Sequence, residues 1–217
     1  MTAITISREI GSQGDWIAGN VAKKLGYHLV TKQTLERIFL QYGFVDFNET
    51  YDMHGFWARF DPHHGDMVSM LNRVFEALAA YGNVVLVGRG GFAALKDFAD
   101  VLNICIQAPV LMRIQQVMSE KQLTEIPAAE EFVREQDRIR HDFLQTLHGS
   151  RWNATGAFDL VIDMGKIPPQ AAVDWIVDTA GRLGEKQFMT QQLCSELDID
   201  PVLTQTIKEI LNPEMAF

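Results

Sequence analysis

The chain has 217 residues, 47% of them hydrophobic, and a formal net charge of −9, which suits one α/β domain with a full core and a small appendage. The acidic balance excludes broad binding to a nucleic-acid backbone but leaves room for a local arginine pocket that takes a small anion. Cys105 and Cys194 make no disulfide framework, no apolar run is long enough for a membrane span, and Ser7, Arg8 and Glu9 interrupt the apolar start, so the expected location is cytoplasmic, with no signal peptide and no membrane partner.

Strand and helix signals alternate, which predicts a parallel sheet covered on both faces. Residues 3–7 are a β-rich run leading into Gly11 and Gly14. Ile17, Ala18, Val21, Ala22 and Leu25 follow at helical spacing, with Asp15 placed to cap the start and Gly26 the end. A second strand is expected over 27–30, and Thr31 is placed to cap a helix over about 32–41. The period breaks over 43–66, where aromatics, histidines and acids mix. It returns with Met67, Met70, Leu71, Val74, Phe75, Leu78 and Ala79. The apolar run 83–87 ends in Gly88-Arg-Gly-Gly91, and 101–106 predicts the next strand, with a helix from about Pro109. Residues 128–148 read as a long charged helix, 158–163 as the last strand, and Pro168-Pro169 opens a helix running to about Leu183. The tail, 186–217, holds two short helical patterns whose apolar residues suit packing on the domain or against a second copy in a homodimer.

Three features point to phosphate chemistry. Ile10, Gly11, Ser12, Gln13, Gly14 and Asp15 lie where a strand meets a helix, the setting in which backbone N–H groups hold an anion. The lysine of the ordinary G-x-x-x-x-G-K-[ST] loop is missing and Asp15 would repel phosphate, so a bare βα turn that needs glycine is the competing reading. Arg89 directly follows an apolar strand, placing it at the sheet end where α/β folds bind ligands. Asp137 and Arg140, three apart, share a helix face with Arg134 and His141, and Arg113 opens the helix after the fourth strand; each alone also fits a solvated surface. Phosphoryl transfer needs several cations converging on one phosphate, which makes the set more telling than its members.

The motifs carry a family resemblance. Ile4-Thr-Ile-Ser-Arg-Glu-Ile-Gly-Ser-Gln-Gly14 is similar to an I-S-R-E-x-G-S-x-G opening, and Val87-Gly-Arg-Gly90 to a V-G-R element that parallels G-R-D. Residues 109–113, Asp137-Arg-Ile-Arg140, Trp152 and Phe158-Asp-Leu-Val-Ile-Asp163 match the later motifs in order. In these the chain resembles the cytidylate-kinase-like family of P-loop nucleoside-monophosphate kinases over roughly residues 3–180. The resemblance implies a three-layer α/β/α fold with a five-stranded parallel sheet. It places a monophosphate-binding insertion at about 32–80 and a lid at about 115–150 within a domain over 1–184, leaving 185–217 as a helical appendage. It also implies ATP, Mg²⁺ and a small-molecule nucleotide substrate, with donor phosphate on the amides of 10–15 and acceptor phosphate on Arg89 and Arg8. Arg113, Arg138 and Arg140 would close over the transferring group, with Asp137 orienting them.

The chain departs from that pattern at Asp15, where an arginine is common, and at Thr31, Gln115, Gln116 and Met164. Each change removes charge or polarity beside the phosphates. Three functions therefore stand side by side: transfer of the ATP γ-phosphoryl group to a cytidylate-like monophosphate, a degenerate kinase that binds or senses a nucleotide, and a P-loop kinase for another acceptor. His54, His63 and His64, with Asp52, Asp61 and Asp66, match no compact ligand spacing, and no metal site is expected there. Tyr51, Phe56, Trp57 and Phe60 suit a base-stacking wall or a small local core.

Overall fold

The computed structural model describes residues 3–42, 65–148, 155–183 and 192–212. Strands are β1 (Ala3–Arg8), β2 (His28–Val30), β3 (Val84–Val87), β4 (Val101–Gln107) and β5 (Leu160–Asp163). Helices are α1 (Gly14–Leu25), α2 (Lys32–Tyr42), α3 (Gly65–Tyr81), α4 (Gly91–Leu95), α5 (Val110–Lys121), α6 (Ile126–His148), α7 (Pro169–Leu183) and α8 (Pro201–Leu211). The strands form one sheet in the order β2-β3-β1-β4-β5, every pair parallel. The expected five-stranded α/β fold is thus present.

Strand β3 reads as a continuous apolar run because both faces of the sheet are covered. In β3, Val84 and Leu86 face one core with Leu35, Ile38, Leu71, Val74 and Leu78 of α2 and α3. Val85 and Val87 face the other, with Ile17 and Val21 of α1 and Val173 and Ile176 of α7. Burying each such side chain contributes roughly 1.5–3 kcal/mol before entropy is set against it. Between β1 and β4, Thr5 Oγ1 donates to Asn103 Oδ1 at 2.7 Å, which satisfies two buried polar groups.

The tail is part of the first core. Asp100 accepts from the backbone N–H groups of Cys194 (2.8 Å) and Ser195 (3.3 Å), and Leu203, Ile207 and Ile210 of α8 pack with α2 and α3. Two local expectations change. Gln13, in left-handed conformation at φ 63°, caps α1 in place of Asp15, which lies inside the first turn. Helix α6 starts at Ile126 and runs 23 residues. The aromatic and histidine segment over 43–64 and Trp152 lie outside the described residues. Among the described residues, no helix is long and apolar enough to cross a membrane.

Candidate functional site

The glycine turn is built from the end of β1. The Glu9 N–H still bonds to the Ile106 carbonyl (3.0 Å), and the Glu9 carbonyl accepts from both the N–H (3.3 Å) and the hydroxyl (2.8 Å) of Ser12. Gly11 has φ 74°, and a Cβ there would lie 2.5 Å from the Arg113 carbonyl oxygen. Glycine is therefore required by conformation and by packing. The turn delivers the N-terminus of α1, whose first N–H groups favour an anion.

On one side of this turn lies a cavity of about 360 Å³ lined by Arg8, Asp15, Lys32, Arg89 and Arg140 among others. Three elements bring the arginines together. Arg8 ends β1, Arg89 sits in the turn after β3, and Arg140 reaches in from α6, donating to the Arg8 carbonyl at 3.3 Å. Arg89 adopts φ 55° between Gly88 and Gly90, which are also left-handed, a conformation that costs a non-glycine residue of order 1 kcal/mol. Its guanidinium lies 5.2 Å from the Phe143 ring centroid. Burial first, then the charges of Arg8 and Arg140, pulls Arg89 down to about 10, with Glu36 pulling the other way. Burial and then Arg8 lower Arg140 to about 10 as well. Both remain charged at neutral pH, so the cavity concentrates cations that an anionic ligand would relieve.

Arg113 stands apart from this cavity. It is buried below the glycine turn, where its NH1 donates to Asp137 Oδ2 at 2.6 Å and its Nε lies 3.5 Å from Glu9 Oε2. Glu9 also accepts from the Ala108 N–H at 2.8 Å. Arg113 Nε and Asp137 Oδ1 are buried without a hydrogen-bond partner. Arg138, grouped with Arg140 by the lid motif, points elsewhere: two residues along a helix is about 200°, and Arg138 is solvent-exposed, bonded to Glu135 at 2.7 and 2.9 Å. Lys32, Gln33, Gln136 and Phe143 line the cavity but carry no motif that marks them beforehand. Glu9 could have been suspected from its place between Arg8 and the glycines.

Across the turn is a second cavity of about 440 Å³, lined by Gly11, Ser12, Gln13, Met112, Met164 and Lys166 among others. Gln13 Nε2 donates to Gln116 Oε1 at 3.3 Å, so one of the two glutamines that replace the expected arginines ties α5 to the turn. Two cavities thus flank one phosphate-type turn, the arrangement a donor and an acceptor would need.

Known proteins share this fold. A solved structure of an uncharacterized protein from Eubacterium ventriosum superposes with a TM-score of 0.66 at 19% identity, covering 83% of this chain and 99% of that one. A shikimate kinase from Bacteroides thetaiotaomicron gives a TM-score of 0.51 at 11% identity, covering 83% and 98%. At these identities the likeness is one of fold. A Corynebacterium glutamicum protein named uronate isomerase is 34% identical over 100 residues, 45% of this chain and 19% of that protein. The chain therefore spans about a fifth of that relative's length. The cytidylate kinase-like family model matches residues 3–166, from the first residue of β1 through the loop after β5. With that match covering the glycine turn, the arginine cavity and α6, the chain belongs to the cytidylate kinase-like family.

Proposed function

We propose that the chain transfers the γ-phosphoryl group of ATP to a nucleoside monophosphate of cytidylate type, as a cytoplasmic enzyme. The observation that carries this reading is the convergence of Arg8, Arg89 and Arg140 on one cavity beside the glycine turn. An acceptor phosphate there would meet two or three guanidinium groups, the planar donors suited to bidentate phosphate contact. The second cavity suits the donor: its glycine turn offers backbone N–H groups, and Met112, Met164 and Ile167 offer an apolar wall for a base.

The residues fit a donor nucleotide better than a protein-held magnesium ion. Ser12 is fully buried with its hydroxyl donated to the Glu9 carbonyl, and among the described residues no group of three or more His, Cys, Asp or Glu could hold a metal. Mg²⁺ would accordingly arrive on the donor phosphates, where it would neutralise triphosphate charge. The chain's own residues then supply positioning and cationic surroundings, which is most of what phosphoryl transfer requires.

A coupled assay with ATP and CMP, dCMP, UMP or AMP tests the reading, with shikimate included because a structural relative bears that name. Turnover of about 1–100 per second with a pyrimidine monophosphate is the expected result. No acceptor-dependent turnover, despite measurable binding of nucleotide, would overturn it. Binding without turnover is the second reading, favoured by the engagement of Arg113 with Asp137 and Glu9. Turnover with shikimate alone would instead select the third, a different acceptor.

A further inference from the structure

Asp15 stands in the first turn of α1, and its carboxylate faces Arg8. The Arg8 Nε donates to Asp15 Oδ1 at 3.0 Å and NH2 lies 2.9 Å from the same oxygen. The guanidinium passes over Gly88, where a Cβ would collide with Arg8 NH1. The Arg8 carbonyl meanwhile receives Arg140 from the lid helix. Side chain and backbone of one residue thus join the first turn of α1, the turn after β3, and α6.

We propose that Asp15 is a positioning residue: it holds the Arg8 guanidinium across Gly88 and into the cavity beside Arg89 and Arg140. This rests on the reading of that cavity as a phosphate site. Arg8 is among the charges that depress both Arg89 and Arg140, so three guanidinium groups crowd one another there. A carboxylate on Arg8 offsets part of that repulsion before any anion arrives. Two effects oppose when Asp15 is replaced: orientation of Arg8 is lost, and repulsion between carboxylate and bound phosphate is relieved. The Asp15 side chain is 66% exposed and solvent screens it, whereas Arg8 is 19% exposed and lines the cavity. Orientation outweighs repulsion.

The exposed ion pair adds little to stability, which makes the test clean. CMP and inorganic phosphate are titrated into the wild-type chain and into Asp15→Asn, Asp15→Glu and Asp15→Arg, with thermal midpoints checking that each is folded. Affinity is expected to fall about tenfold in Asp15→Asn, as for one misaligned charge-assisted contact, and to stay within about twofold in Asp15→Glu. Asp15→Arg is expected to bind no better than Asp15→Asn, because the new cation displaces Arg8. In ¹⁵N spectra the Arg8 Nε–H, assigned through Arg8→Lys, is expected to be protected from exchange in wild type and Asp15→Glu and unprotected in Asp15→Asn. Equal or tighter binding in Asp15→Asn, tighter binding in Asp15→Arg than in wild type, or an Arg8 signal indifferent to Asp15→Asn overturns the proposal. A wild-type chain that binds neither ligand defeats the phosphotransfer reading instead, and the Arg8 signal still decides whether Asp15 holds Arg8.

Discussion

Arg113 and Asp137 form a 2.6 Å ion pair that joins α5 to α6 beneath the glycine turn, and Glu9, the residue after β1, approaches the same guanidinium at 3.5 Å. Arg113 is thereby a strut between the turn and α6. Its carbonyl oxygen also forms the floor on which Gly11 rests. A residue whose motif implies contact with the transferring phosphate is, in this structure, engaged in holding the glycine turn and α6 in register.

Removing Asp137 leaves the buried Arg113 with only the more distant Glu9, and breaking one side of a buried pair is the costly case. Asp137→Asn is expected to destabilise the chain by about 3 kcal/mol. Urea unfolding with matched slopes for variant and wild type measures it. A loss below about 0.5 kcal/mol would show that the pair behaves as a surface contact.

Arg89 and Arg138 separate cavity cations from surface cations. Arg89→Lys keeps the charge but loses the planar fork, and acceptor kcat/KM is expected to fall about 100-fold. Arg138→Ala is expected to cost less than about threefold, since its partners are Glu135 and, more distantly, Asp142 on the exposed face of α6. Steady-state kinetics with CMP compares them, and equal losses would contradict the placement.

Much of the fold is legible in the sequence because buried parallel strands leave continuous apolar runs and the helices between them keep their period. Arg89 is legible because it follows such a run directly, and Arg140 because it shares a face with Asp137. The partner of Asp15 is not legible. Arg8 lies seven residues earlier, and only the glycine turn, with its left-handed Gly11 and Gln13, folds the strand end back over the helix start. Arg138 misleads for the opposite reason, since a D-x-x-R spacing says nothing of the arginine between its ends. The tail's docking uses Asp100, whose backbone partners at Cys194 and Ser195 are more than ninety residues away.

Glu9 should give stability a pH dependence of defined sign. Burial is the largest influence and raises its carboxyl above the ordinary 4.5, while the Ala108 N–H and Arg113 pull it down. A carboxyl raised in the folded state binds its proton more tightly folded than unfolded. Its contribution is fully present below 4.5 and is lost as pH rises through the folded value. Glu9→Gln removes this titration. The stability of Glu9→Gln relative to wild type is therefore expected to climb from pH 4.5 upward and then level off, as read by urea melts at successive pH values. A relative stability that instead falls with pH would mean that Arg113 and Ala108 outweigh burial.

Gly11 and Gly26 test whether the glycine turn is demanded by conformation alone or by packing as well. Both are left-handed, at φ 74° and 67°. Any L-residue pays of order 1 kcal/mol there. At Gly26 a Cβ meets nothing within 4 Å, so Gly26→Ala is expected to cost only that amount. At Gly11 the Cβ would lie 2.5 Å from the Arg113 carbonyl oxygen, a backbone atom fixed by α5. The turn must shift, or α5 must, and the added cost of such overpacking is about 1–3 kcal/mol. Gly11→Ala is therefore expected to lose about 2–4 kcal/mol in total and to weaken ATP affinity, whereas Gly26→Ala leaves ATP affinity unchanged. Urea melts and ATP titration on the two variants check both halves. Equal destabilisation would mean that the turn relaxes away from Arg113, and the strut beneath it would then no longer set the shape of the glycine turn.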